Sequence, residues 1–296
     1  MTGLGLAVVL VPVIPDPSPG FAERKGDIAS VRETASWMVG NDVVTELTLR
    51  STSGLEVELS VRRPADASHP RPLILMLAGV GTGRNAVRFP ADTGGVVMAA
   101  LSYPYRGDRH AGTGALLLDL PRMQRALLDT IPAVLLATDW LMQQPYVDPG
   151  KVELAGGSMG AFVVSVPGAL DTRFRRVWIV HGGAAPALVF RETLKDRIRF
   201  APARALTAEL LAAIACSHHL APEKWVGRIS PRPVVVVNAR DDESIPKESV
   251  ERLHRALGDP SEVIWTQGGH VLPDREAVIE ALAEVILSKM REDETL

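Results

Sequence analysis

Apolar and polar positions alternate in "DVVTELTLRS" (residues 42–51) and "LEVELSVRRP" (residues 55–64), and the two stretches flank Ser53-Gly54. Side chains along a strand point to opposite faces in turn, so this pattern predicts two half-buried strands joined as an antiparallel hairpin. Further along, the pattern changes to short continuous apolar runs: "LILMLAG" (73–79), "GVVMAALSYP" (95–104), "KVELAG" (151–156), "RVWIVHG" (176–182), "PVVVVNA" (233–239) and "EVIWTQ" (262–267). Runs of that length without alternation fit strands covered on both faces, the condition of a parallel sheet between helix layers. Helical stripes separate most of them. The longest, over about 121–144, places Leu127, Leu128, Ile131, Val134, Leu135, Thr138 and Leu141 at helical spacing, with Pro132 expected to bend it. Pro246 and Pro273 stand where the first turns of two more helices tolerate proline. The whole predicts an α/β fold with a mostly parallel central sheet flanked by helices.

Two regions fall outside this alternation. About fifty residues separate the strand near Gly183 from the one near Pro233, too many for an ordinary connection, and "TAELLAAIACSHHLAP" within them carries a helical stripe of leucine and alanine. Residues 184–230 are therefore expected to form a helical cap over the carboxyl edge of the sheet, where it would shape a pocket. Residues 1–40 read as an irregular amino-terminal segment, and 41–296 as the domain that carries the cap. "LGLAVVLVPVI" (4–14) has the length of a signal-peptide apolar core and is too short to span a bilayer, yet no Lys or Arg precedes it. Export, an amino-terminal anchor and a tail packed on the domain all fit, and membrane association is expected only if this run is an anchor. A cytoplasmic location is slightly favoured.

Composition narrows the partners. With 32 Lys and Arg against 35 Asp and Glu, the net charge of −3 offers no broad positive field for a phosphate backbone, which argues against nucleic acid. A single cysteine, Cys216, excludes an intrachain disulfide and a cysteine-based zinc site, and its apolar surroundings read as a buried thiol. No metal site and no cofactor are expected. "GVGTGRN" (79–85) resembles a phosphate loop but lacks the Gly-Lys-Ser/Thr ending.

Candidate chemistry centres on "LAGGSMGAF" (154–162), where Gly156-Gly157-Ser158-Met159-Gly160 matches G-x-S-x-G between a strand and a helix. A turn that tight crowds neighbouring backbones, so residues without a large side chain let the serine sit at its apex, and the Met159 backbone N–H then points at any anion forming there. A serine hydroxyl needs a base, and the base needs an acid. Of seven histidines, only His270 sits just after the last strand in a glycine-flanked turn, "TQGGHVLPD". His254 lies in a charged amphipathic helix, and His69 in a loop. His218 and His219 in the cap read as solvent-facing helix residues, with contact to substrate as the alternative, and His181 at the end of a buried strand reads as a satisfied core histidine, with a place at the pocket border as the alternative. The acid is expected from "VVVVNARDDESIP", with Asp242 chosen and Asp241 its alternative, because adjacent side chains at a turn point different ways.

The order Ser, Asp, His and these motifs resemble the α/β-hydrolases, from about residue 43 to residue 290. "DWLMQQPYVDPGKVELAGGSMGA" and "ISPRPVVVVNARDDESIP" are similar to the branch of dienelactone hydrolases, acetyl xylan esterases and prolyl-oligopeptidase relatives. The resemblance implies Ser158 as nucleophile, Asp242 as orienting acid, His270 as general base, and a small-molecule ester as substrate. Serine in place of cysteine argues against dienelactone hydrolysis, and serine in place of aspartate against haloalkane dehalogenation. Relatives usually show His-Gly after the third strand, whereas this chain has Ala78-Gly79. By resemblance Val80 supplies the second oxyanion N–H, with Gly79 as fallback and also as a residue bordering substrate. Arg106 in "SYPYRGDR" resembles a structural clamp. A prolyl-oligopeptidase-like peptidase and a non-catalytic binding module on the same fold are the alternatives.

Overall fold

A computed structural model describes residues 15–66, 69–79, 81–105, 107 and 119–292. The apolar run at 4–14, Val80 and Arg106 lie outside them. Among the described residues nine strands form one sheet: β1 (Ile28–Val39), β2 (Asp42–Ser51), β3 (Glu56–Pro64), β4 (Arg71–Leu77), β5 (Val97–Leu101), β6 (Val147–Gly157), β7 (Arg176–Val180), β8 (Val234–Ala239) and β9 (Ser261–Thr266). Their order is β1-β2-β3-β5-β4-β6-β7-β8-β9. The first three strands and β5 pair antiparallel, and everything from β5 through β4 to β9 is parallel. The hairpin and the six apolar runs thus become strands within a few residues of their sequence positions.

The helices are α1 (Phe21–Lys25), α2 (Leu120–Leu141), α3 (Ser165–Leu170), α4 (Pro186–Thr193), α5 (Ala201–Ile214), α6 (Ser217–Leu220), α7 (Pro222–Trp225), α8 (Lys247–Ala256) and α9 (Glu276–Glu292). α2 runs unbroken through Pro132, which is buried with Ile131 and Ala133 against the sheet. Odd-numbered strand residues such as Leu73, Leu75 and Leu77 pack with Ile131, Val134 and Leu141 of α2 in the main core, while Ile74, Ala155, Val180 and Val235 face Leu282 and Met290 of α9 on the other side. This two-sided burial is why β4 to β8 read as continuous apolar runs.

Residues 28–39, expected to be irregular, form β1. Nearly all its residues are half-exposed or exposed, and register shifts between Ile28 and Ser30 and between Glu33 and Ala35 interrupt the two-residue period. An outer strand held by main-chain pairing to one neighbour carries no clean apolar face, so the pattern hides it.

Candidate functional site

Four neighbouring parallel strands deliver side chains to one edge of the sheet. Ser158 follows β6, His181 follows β7, Asp242 lies in the loop after β8, and His270 in the loop after β9. Carboxyl ends of parallel strands are where open α/β sheets place ligands.

The turn at Ser158 is built by its glycines. Ser158 has φ of 54°, a left-handed conformation rare outside glycine. A Cβ on Gly160 would lie 1.9 Å from the Leu77 carbonyl oxygen, and one on Gly156 would lie 2.5 Å from the Gly160 oxygen. Gly157, by contrast, has open space where a Cβ would go. The two glycines of the motif are therefore required by contact with β4 and with the turn itself.

Ser158 Oγ lies 2.8 Å from His270 Nε2, and His270 Nδ1 lies 2.9 Å from Asp242 Oδ2. A carboxylate only accepts, so Nδ1 carries the proton and Nε2 is left to accept from the serine hydroxyl. The other oxygen, Asp242 Oδ1, accepts from the backbone N–H groups of Ser244 (2.8 Å) and Ile245 (3.0 Å), which holds the carboxylate in place beside the imidazole. Asp242 and His270 are both buried, with 7% and 4% of their side chains exposed. Asp241 is exposed. Charge buried at this depth keeps its interactions strong, because little water screens them.

A second layer holds the histidine loop. The His270 backbone N–H donates to Glu243 Oε2 at 3.1 Å, Arg275 Nη1 donates to the His270 carbonyl at 3.0 Å, and Arg275 Nη2 closes the ring on Glu243 Oε1 at 2.6 Å. The Arg275 guanidinium and the backbone donors hold the Glu243 carboxyl down to about 2. A Cβ on Gly269 would strike both Arg275 and Glu243, so glycine there makes room for the latch. His181 is fully buried, and its Nδ1 accepts the Val271 N–H at 2.9 Å. Burial pushes its pKa down to about 4, so the ring is neutral. Sequence reasoning missed the roles of Glu243 and Arg275 in this loop; their only trace is charge on either side of the Asp242 and His270 turns. His181 is found bracing the His270 loop.

Gly79 comes close to the nucleophile: a Cβ there would be 3.9 Å from Ser158 Oγ. The Tyr103 hydroxyl donates to the Ala78 carbonyl at 2.8 Å and ties this loop to the end of β5. His218 lies in α6, its ring 4.0 Å from that of His219, and burial lowers its pKa to about 4. Cys216 is buried, with Gln124 Nε2 3.2 Å from its sulfur. A cavity of about 420 Å³ reaches Ser158, and none of its lining residues comes from 184–230. That insertion is helical as expected, but it does not shape this cavity.

Among the described residues, His181, Asp242 and His270 form a group whose donor atoms lie within 4.8 Å of one another. Asp242 Oδ2 and His270 Nδ1 are bonded to each other, and His181 Nδ1 is taken by Val271, which leaves His181 Nε2 without a partner. One open donor falls short of the three or four that hold zinc. No helix of the described residues is long and apolar enough to cross a membrane.

Comparison with solved structures places the architecture. Acetyl xylan esterase 1 from Thermoanaerobacterium sp. superposes with a TM-score of 0.61 at 15% identity, covering 92% of this chain and 93% of that one. The chain has the α/β-hydrolase fold. An acetyl xylan esterase from Paenibacillus sp. gives the same TM-score of 0.61 at 15% identity, over 95% of this chain and 92% of that one. A glucuronoyl esterase from Solibacter usitatus superposes at 0.53 with 14% identity, over 90% and 91%. The family model described as alpha/beta hydrolase domain containing 18 matches residues 195–279, a span of this chain that includes Asp242 and His270. No curated protein matches the chain.

Proposed function

We propose that this α/β-hydrolase cleaves carboxylic esters through an acyl-enzyme on Ser158. The observation that carries the reading is the continuous hydrogen-bonded relay from Ser158 Oγ through His270 to Asp242. In it, His270 Nε2 takes the serine proton as Oγ attacks the ester carbonyl, and Asp242 steadies the imidazolium that forms. The Met159 N–H, with a second N–H from Val80 or Gly79, holds the tetrahedral oxyanion. His270 then gives its proton to the departing alcohol, and a water activated by the same ring releases the acid. The names of the similar structures, acetyl xylan and glucuronoyl esterases, support esters as the substrate class.

Turnover of p-nitrophenyl acetate and butyrate by wild type and Ser158→Ala, together with a fluorophosphonate adduct mapped by mass spectrometry, tests this. The expected result is a loss of about a thousandfold or more in the variant and an adduct on Ser158. Equal rates, or an adduct on another residue, would overturn it.

A further inference from the structure

Parallel neighbours need a crossover, and an α-helix usually supplies it. Between β4 and β5 the described residues contain no α-helix; the regular element there is a short 3-10 segment, Gly83–Arg88. The sheet face opposite α2 is consequently covered in two pieces. Ile74, Ala155 and Val180 pack with Leu282 of α9, while Met98 packs with Ala86 of the short segment, and half-buried Met76 touches both clusters. The cavity of about 420 Å³ runs between them and reaches Ser158.

Its shape and chemistry point to a particular occupant. Along α9 the wall is Ile279, Leu282, Ala283, Ile286 and Leu287. That spacing is one helix face, about 12 Å long at 1.5 Å per residue. Among the described lining residues, polar side chains enter only at Thr82, Asp92, Thr93 and Ser158 itself. An apolar lining of this kind is covered favourably by hydrocarbon. Gly79, the fallback oxyanion donor, lines it together with Gly157 and Ser158, whereas His270, the group read as protonating the leaving alcohol, does not.

Resting on the reading of Ser158 as an ester-cleaving nucleophile, we propose that this slot holds the acyl half of the substrate, and that the acyl group is an unbranched apolar chain of octanoyl length. The alcohol then departs past His270 while the chain stays lodged against α9. Each methylene buried there is worth about fourfold in kcat/KM at most.

The test compares kcat/KM for p-nitrophenyl acetate, butyrate, octanoate and laurate in wild type and in Ala283→Phe, whose ring would occupy the slot, with Ala86→Leu on the opposite wall as second variant. The expected result is a rise of about tenfold or more from acetate to octanoate, and an octanoate-to-acetate ratio that falls by a similar factor in whichever variant folds. A flat series, an unchanged ratio, or a chain-length preference confined to the alcohol half would overturn the slot while Ser158 still cleaves esters. Calorimetric binding of octanoate to wild type, Ser158→Ala and Ala283→Phe separates the other failure. If no ester is cleaved, binding by the first two proteins that Ala283→Phe abolishes keeps the slot and removes only the catalytic reading, and absence of binding removes the slot as well.

Discussion

Replacing Gly160 by alanine probes how the nucleophile is held. The new Cβ would sit 1.9 Å from the Leu77 carbonyl oxygen, 2.6 Å from its carbon and 2.9 Å from the Leu77 Cβ, where real contacts stay beyond 3.0 Å. All three atoms belong to β4, in the middle of the sheet, and two are backbone, so no side chain can swing away. The turn must part from β4 by about 1 Å, and a displacement of that size at a reacting group costs on the order of a hundredfold in rate. Overpacking a site with no room to relax costs about 1–3 kcal/mol of stability. Gly157→Ala is the internal control, since nothing lies within 4 Å of its Cβ and its φ of −115° suits any residue. Urea unfolding at equal slope and kcat/KM on p-nitrophenyl butyrate should separate the two variants by those amounts. Gly160→Ala within about 0.5 kcal/mol of Gly157→Ala would refute the contact as the reason for the glycine.

Other expectations follow from the surrounding network. Asp242→Asn should lower kcat by up to about 10⁴ with folding retained, because an amide can hold the ring in the wrong tautomer, whereas Asp241→Asn should stay within about twofold; equal losses in the two would assign the acid wrongly. Glu243→Gln and Arg275→Ala open the latch on the His270 backbone at a half-exposed site, so each should reduce kcat by about tenfold with the unfolding midpoint little changed. Unaltered kcat in both would make the latch decorative. His181 is held near a pKa of 4 when folded, chiefly by burial, against an unfolded value near 6.5. Over that interval the unfolded chain binds a proton that the folded chain refuses, so stability declines as pH drops from about 6.5 to about 4, by up to about 3 kcal/mol from this residue. Urea midpoints across that range should flatten in His181→Gln, and an unchanged slope would locate the titration elsewhere.

Much of the fold is legible because burial on two faces leaves a plain signature. β4, β7 and β8 are apolar through their centres, β6 is apolar there except for buried Glu153, and helices follow β6, β7 and β8. Ser158, Asp242 and His270 were legible for a different reason: each sits in a turn that glycine, or a strand end running into polar residues, announces. What stayed hidden is instructive. β1 lacks a buried face, so nothing in its pattern separates it from a loop. The slot is hidden because Ile279, Leu282, Ala283, Ile286 and Leu287 read as an ordinary core stripe, and what makes them a wall is the helix that does not form between β4 and β5. The latch of Glu243 and Arg275 joins residues 32 positions apart, and one sequence cannot show that pairing.

The two register shifts along β1 also matter for how the protein behaves in a crowd. Among the described residues β1 pairs with β2 alone, and the free side of a twelve-residue rim strand is a template on which another chain could add itself, strand after strand. Each shift bends and twists the ribbon locally, and Arg32 and Glu33 stand outward between them, so no straight partner can follow the rim for its full length. Interruptions and outward charges of this kind are among the devices by which rim strands resist edge-to-edge addition.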